Sequence, residues 1–253
     1  MIRMHRPHSA PPLSWMASLR WPIIEKALRA ESQASTVVEI GCGQGAVGAR
    51  LAAHFAGYVG IEPDARSAEV AAGRVAEHGG VVHDSLDRFE GTGQAGVLCA
   101  FEVLEHIDDD LGSLRSWLTY ASPGALVVVS VPADPERFGE TDRLVGHFRR
   151  YTDAGLTDLL RGAGLTSIRV RRYGYPLGYV LEDVRNRVLA RRGVAVDDEV
   201  SMDERSHGSG RLLQPQRPWE GTVRSVLTAP FRVWQDARPT SGPGLLAIAR
   251  VPA

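Results

Sequence analysis

The chain has 253 residues, 43% of them hydrophobic and 23% charged, a composition that excludes a disordered or fibrous segment and fits one folded domain with a sizeable core. Lysine and arginine number 29 against 30 acidic residues, for a formal net charge of -1, so no overall field draws nucleic acid or an acidic membrane. Cys42 and Cys99 are too few for a disulfide framework or a zinc cluster, and the longest apolar run, GALVVVSV, is far short of the roughly 20 residues that span a bilayer.

In chain order, the Pro-rich start MIRMHRPHSAPPLSW lacks the apolar stretch of a secretory signal, which makes a cytoplasmic location the expectation. Residues 1–35 read as a helical cap segment carrying Trp15 and Trp21. From Thr36 onward, β-branched runs alternate with segments of helical period. The candidate strands are TVVEI (36–40), YVGIE (58–62), GVVHD (80–84), GVLCA (96–100) and ALVVVSV (125–131). Several are apolar almost throughout, as parallel strands buried on both faces are. Between them, residues 46–56, 64–78 and 108–121 carry apolar side chains at helical spacing, so the core of 36–173 reads as doubly wound α/β.

After a loop at 132–150, TDAGLTDLLRGAG reads as a helix opened by Thr152, then TSIRVRRY as a strand, and LLAIARV (245–251) as the last strand. The 70 residues between those strands, 174–243, are too many for a simple connection and read as an inserted cap or lid. It holds two apolar stripes, Leu177/Val180/Leu181/Val184/Val188 and Val223/Val226/Leu227/Phe231/Trp234, with a polar, Gly-containing stretch at 193–217 between them.

The most specific signal is VVEIGCGQG (37–45), a strand entering three alternating glycines and then a helix. The turn is tight, and a side chain there would block a ligand's approach to the backbone. Glu62 follows 21 positions after Gly41, where a carboxylate accepts the hydroxyl protons of an adenosine ribose. Gly41-x-Gly43-x-x-Ala46 also satisfies the dinucleotide fingerprint, so a nicotinamide-dependent oxidoreductase stands as an alternative, as does a protein that binds a cofactor or a partner without turnover.

The string E-x-G-x-G-x-G from Glu39 to Gly45, with Asp84-Ser85-Leu86 and AFEVLEHIDD (100–109) further on, resembles the class I S-adenosylmethionine-dependent methyltransferases, nearest the small-molecule branch of ubiquinone-type enzymes. The resemblance covers roughly 37–170. It implies a Rossmann-like seven-stranded, mostly parallel sheet of order 3-2-1-4-5-7-6, S-adenosylmethionine as cofactor and S-adenosylhomocysteine as product. It also implies that Gly41, Gly43 and Gly45 make room for the methionine part, that Glu39 holds the loop and the ammonium, and that Glu62 clamps the ribose. Asp84, Ser85 and Leu86 would meet the adenine, and Phe101 would sit near the sulfonium.

On the acceptor side, a hydroxyl must lose its proton, which makes a histidine the natural base. His147, in GHFRRY after the fifth strand, is the first candidate, with a positioning role as the competing reading; His106, in LEHI, is expected to shape the loop beside the cofactor. Arg149, Arg150 and Arg211 suit an anionic acceptor, and Tyr151, Tyr175 and Trp15 are further candidates for the acceptor pocket. The acidic run 108–110 reads as a helix start rather than a metal set, so no metal is expected. The expected partner is a small organic acceptor of secondary metabolism, methylated on oxygen; the expected assembly is a monomer or homodimer.

Overall fold

The computed structural model describes residues 10–192 and 218–253. Seven strands form one sheet: β1 (Thr36–Ile40), β2 (Gly57–Ile61), β3 (Val81–His83), β4 (Ala95–Phe101), β5 (Ala121–Pro132), β6 (Thr166–Tyr173) and β7 (Gly244–Arg250). Their order is β3-β2-β1-β4-β5-β7-β6. β1 pairs in parallel with β2 and β4, β2 with β3, and β4 with β5, while β7 runs antiparallel between β5 and β6. The order expected from the resemblance is therefore the one observed.

Parallel strands must be covered on both faces because their crossovers are helices. The side chains divide accordingly. Val38, Ile40, Leu98 and Val129 pack beneath α4 (Asp110–Leu118) and α6 (Asp153–Gly162), whose Leu114, Leu156 and Leu160 are fully buried. Val37, Val97 and Val128 face the other way, toward Leu19 and Ile24 of α1 (Trp15–Leu28) and Leu51 of α2 (Gly48–His54). Each such fully buried side chain contributes about 1.5–3 kcal/mol. The helix α3 (Ala65–Val75) completes this second face through Val75.

Helix starts follow capping chemistry. Asp64, Asp109 and Thr152 accept hydrogen bonds from Ser67 N, Gly112 N and Gly155 N at 3.0, 2.9 and 2.9 Å. Asp109 thereby accounts for part of the acidic run as a helix start. Two boundaries differ from expectation. α2 begins at Gly48 rather than 46, because the glycine loop still turns through Gly45, whose N–H bonds Cys42 O at 2.9 Å. Within the expected loop 132–150 lies a short helix, α5 (Glu140–Leu144), too brief to show a period in sequence.

The insertion between β6 and β7 contains α7 (Leu177–Arg192) and α8 (Pro218–Ala237). Its apolar stripes face the core only in part: Leu177 and Phe231 pack against it, while other members are exposed. Val180 and Val184 are 55% and 49% exposed, Val226 and Trp234 66% and 58%, whereas Glu182, Thr228 and Gln235 are buried. The buried amide of Gln235 explains the phase: Nε2 donates to Leu19 O at 2.8 Å and Oε1 accepts from Gly174 N at 3.0 Å. α8 is thus fastened to α1 and to the end of β6 by a polar residue whose hydrogen bonds are satisfied. Among the described residues, no helix is long and apolar enough to cross a membrane.

Candidate active site

In an open parallel sheet the ligand crevice lies beyond the carboxyl ends of the strands, where the strand order reverses. Here that point separates β1 from β4, and the glycine string follows β1 directly. Gly41 and Gly45 have φ of +65° and +71°, a region that L side chains rarely enter. A Cβ on Gly41 would stand 2.6 Å from Val103 Cγ2, and one on Gly45 would stand 2.9 Å from Ala71 Cα. The loop is thus wedged against the segment after β4 on one side and α3 on the other.

Glu62 locks this loop from the neighbouring strand. Its Oε2 accepts from Gly43 N at 2.8 Å and its Oε1 from Asp64 N at 2.9 Å. Glu39 lies beneath the loop, 2% exposed, with Oε2 accepting from Tyr58 Oη at 2.6 Å. Burial pushes its carboxyl up to about 7, against the opposing hydrogen bond of Tyr58.

Phe101, the last residue of β4, is buried, and the Arg20 guanidinium stands 5.1 Å from its ring centroid. Next in sequence is Glu102, at φ +60°. Its Oε1 accepts from Arg20 Nη1 at 2.7 Å, Ser130 Oγ at 2.8 Å and Tyr173 Oη at 3.0 Å. Four elements, α1, β4, β5 and β6, meet at this one carboxylate. None of these roles was legible in sequence; only Glu102 carried a signal, as part of FEVLEH.

A second polar group is built by the turn Leu104–His106 and the segment after α5. Phe148 N donates to Glu105 O at 2.7 Å and joins the two. His147 Nδ1 lies 2.9 Å from Asp142 Oδ1 and its Nε2 lies 4.0 Å from Glu105 Oε1. The His106 ring meets that of His147 edge-on at 4.6 Å, and its Nδ1 is 3.2 Å from Gly146 O. Burial, with His147 beside it, pulls the His106 imidazole down to about 4. Against the burial that would raise it, hydrogen bonds from His147 and Arg150 hold the Asp142 carboxyl well below the usual range. His147, the candidate base, and His106, expected to shape the loop beside the cofactor, are therefore brought together.

A family model described as a methyltransferase domain matches residues 15–170, which include the glycine loop, Glu62 and both histidines. The chain belongs to the methyltransferase domain family. An uncharacterized methyltransferase of Mycobacterium sp. (strain JLS) is 32% identical over 146 residues, 55% of this chain and 51% of that protein; the chain spans about half the length of the curated relatives it matches. A [4+2]-cyclase, SpnF, superposes with a TM-score of 0.61 at 16% identity, covering 98% of this chain and 88% of that one. A phosphoethanolamine N-methyltransferase of Haemonchus contortus, in complex with S-adenosylhomocysteine, gives 0.58 at 13% identity over 92% of this chain and 53% of that one. At such identity these two report the fold alone, and a cyclase among them shows that the fold does not fix the reaction.

Other expected residues of this methyltransferase domain are engaged elsewhere. Asp84 is exposed and pairs with Arg88 Nε at 2.7 Å; Ser85 precedes the turn Leu86–Arg88, with Leu86 resting on the core. The expected anion-binding arginines hold partners within the protein. Arg150 is buried, its Nε and Nη2 donating to Asp142 Oδ1 and Oδ2 at 2.9 Å each and Nη2 pairing also with Glu182. Arg149 bonds Asp108 O at 2.7 Å and Asp110 Oδ2 at 3.0 Å. The buried Arg150 guanidinium has no fork to offer an acceptor, whereas the Arg149 side chain is 34% exposed. Tyr151 is likewise buried, donating to Asp110 Oδ2 at 2.8 Å and Leu104 O at 3.2 Å, so it braces the loop after β4 instead of lining an acceptor pocket. Trp15 and Tyr175 are covered by Arg224 and Arg238 at 5.6 and 5.8 Å. Arg211 lies outside the described residues.

Proposed function

We propose that this chain transfers a methyl group from S-adenosylmethionine to an oxygen of a small organic acceptor. The observation that carries the reading is the Glu62 carboxylate, fixed by two backbone N–H groups at the end of β2 beside the positive-φ glycines of a methyltransferase-family chain. The residues fit the cofactor: the positive-φ glycines form a tight turn held against Val103 and Ala71 with no side chains of their own, and Glu62 meets the ribose diol. Asp84, Ser85 and Leu86 border the adenine end, and Phe101 the methionine end.

When bound, the cofactor supplies an electrophilic methyl group whose departure leaves a neutral thioether. What the protein adds is alignment and exclusion of water. Glu62 and the glycine loop orient the nucleoside, and Glu39 supports the loop from below. His106 and His147 mark the acceptor side, where a hydroxyl proton is lost. The cap formed by α1, α7 and α8 covers the acceptor. With Arg149 and Arg150 committed within the protein, the reading takes the acceptor to be uncharged where it meets the described residues.

Calorimetric titration with S-adenosylhomocysteine tests the site. Hydrogen bonds to a charged group contribute about 1.5–3 kcal/mol each, so Glu62→Ala should weaken binding by about 100-fold and Glu62→Gln, which keeps one acceptor oxygen, by less. Equal affinity for all three proteins removes Glu62 from the ribose site.

A further inference from the structure

Glu105 has no place in the cofactor site, yet it is 0% exposed, and no other described residue donates a hydrogen bond to either carboxylate oxygen. A bare buried carboxylate is costly unless a proton or a cation accompanies it. Its neighbours include the two histidines, with Arg20, Glu102 and Asp142 also within electrostatic reach. One ligand atom from each of Glu105, His106 and His147 lies within 4.8 Å of the others, against the about 3.4 Å between tetrahedral ligands of one ion at about 2.1 Å. Closing that gap takes shifts of up to about 0.8 Å in each side chain.

The outer partners of both rings match the arrangement found around metal-bound imidazoles, in which the second ring nitrogen donates to a carboxylate or a backbone carbonyl. His147 Nδ1 faces Asp142 Oδ1 at 2.9 Å, and His106 Nδ1 faces Gly146 O at 3.2 Å. Both oxygens can only accept, so each Nδ1 is the donor of its ring and Nε2 is the nitrogen turned toward the cluster. The 4.0 Å between His147 Nε2 and Glu105 Oε1 is too long for a hydrogen bond and suits two ligands of a common ion. A protonated Glu105 alone would account for its burial but not for two imidazoles fixed by their outer nitrogens.

We propose that Glu105, His106 and His147 bind one divalent first-row transition-metal ion of the manganese, cobalt or zinc class. Two imidazoles and one carboxylate select these over magnesium or calcium, which favour oxygen ligands throughout. Three protein ligands leave positions open for an exogenous oxygen. Val103, two residues before Glu105, is the side chain that packs against Gly41, so the ion would stand next to the glycine loop. The role of those open positions rests on the methyl-transfer reading: a hydroxyl held there is acidified, its proton passes to solvent, and the oxygen lone pair forms the O–CH3 bond. The S–CH3 bond breaks with its electron pair kept by sulfur.

The test uses the whole chain, treated with a chelator and titrated with Co2+. The expected result is visible absorption saturating at one ion per chain, with a thermal midpoint that rises as Co2+ is added. Glu105→Gln, which keeps the volume of the side chain, and His147→Ala should each weaken Co2+ at least 100-fold and abolish that rise. Thermal melts without metal identify a variant that fails to fold, and the other variant then carries the comparison. Absence of the absorption in the parent protein, or equal Co2+ affinity in parent and variants, overturns the site. Titrating the same sample with S-adenosylhomocysteine separates the two claims. Co2+ binding without nucleoside binding keeps the metal site and dismisses methyl transfer; the reverse dismisses only the metal.

Discussion

Glu39 is the residue whose chemistry makes the sharpest solution prediction. With its carboxyl raised to about 7 in the folded state from 4.5, the native protein holds a proton that the unfolded chain releases between those values. Stability from this group is therefore complete below pH 4.5 and falls as pH rises through 7. The shift corresponds to about 3 kcal/mol lost at pH 8. Glu39→Gln keeps an acceptor for Tyr58 and has no charge to bury, so without ligand it should be more stable than the parent by about that amount at pH 8 and nearly equal to it at pH 4.5. Denaturant unfolding at the two pH values measures the difference; a gap independent of pH would show that Glu39 titrates alike in the folded and unfolded chain. The placement of Glu39, Gly41, Gly43, Gly45 and Glu62 was legible in sequence because it is set locally, by one turn and the next strand end. The partners of Arg149 and Arg150 were not, for the opposite reason. Two adjacent arginines look like a free positive pair until the fold delivers Asp108, Asp110, Asp142 and Glu182 to them.

Among the elements, the short helix α5 organises more than its length suggests. Its Asp142 accepts from Gly139 N, His147 Nδ1 and two nitrogens of Arg150, tying β5's exit to the histidine pair. Removing one partner of a buried ion pair costs about 3–5 kcal/mol. Arg150 retains Glu182, so Asp142→Asn should destabilise the protein by about 3 kcal/mol in thermal or denaturant unfolding. A change below 1 kcal/mol would mean that the pair carries little. Strands were readable as β-branched runs, and their termini shifted by only a few residues except at β5, which starts at Ala121 instead of 125. The phase of α7 and α8 was not readable. Hydropathy points Val180 and Trp234 inward, while the real contacts are made by Glu182 and Gln235, whose partners come from distant parts of the chain.

At the scale of the molecule, the sheet order places the β1 and β4 exits side by side, and that adjacency brings the glycine loop and the FEVLEH segment to one crevice. The order followed from a resemblance resting on three short motifs; neither the cap's attachment through Gln235 nor the convergence on Glu102 had any local signature. The account's central claim is that an adenosine bearing a thioether sits between the 41–45 loop and Glu62. A crystal structure of the chain with S-adenosylhomocysteine measures this directly. The prediction is a ribose diol on the Glu62 carboxylate with the sulfur turned toward the His106–His147 pair. A nucleoside bound elsewhere, or a ribose that makes no contact with Glu62, would contradict it.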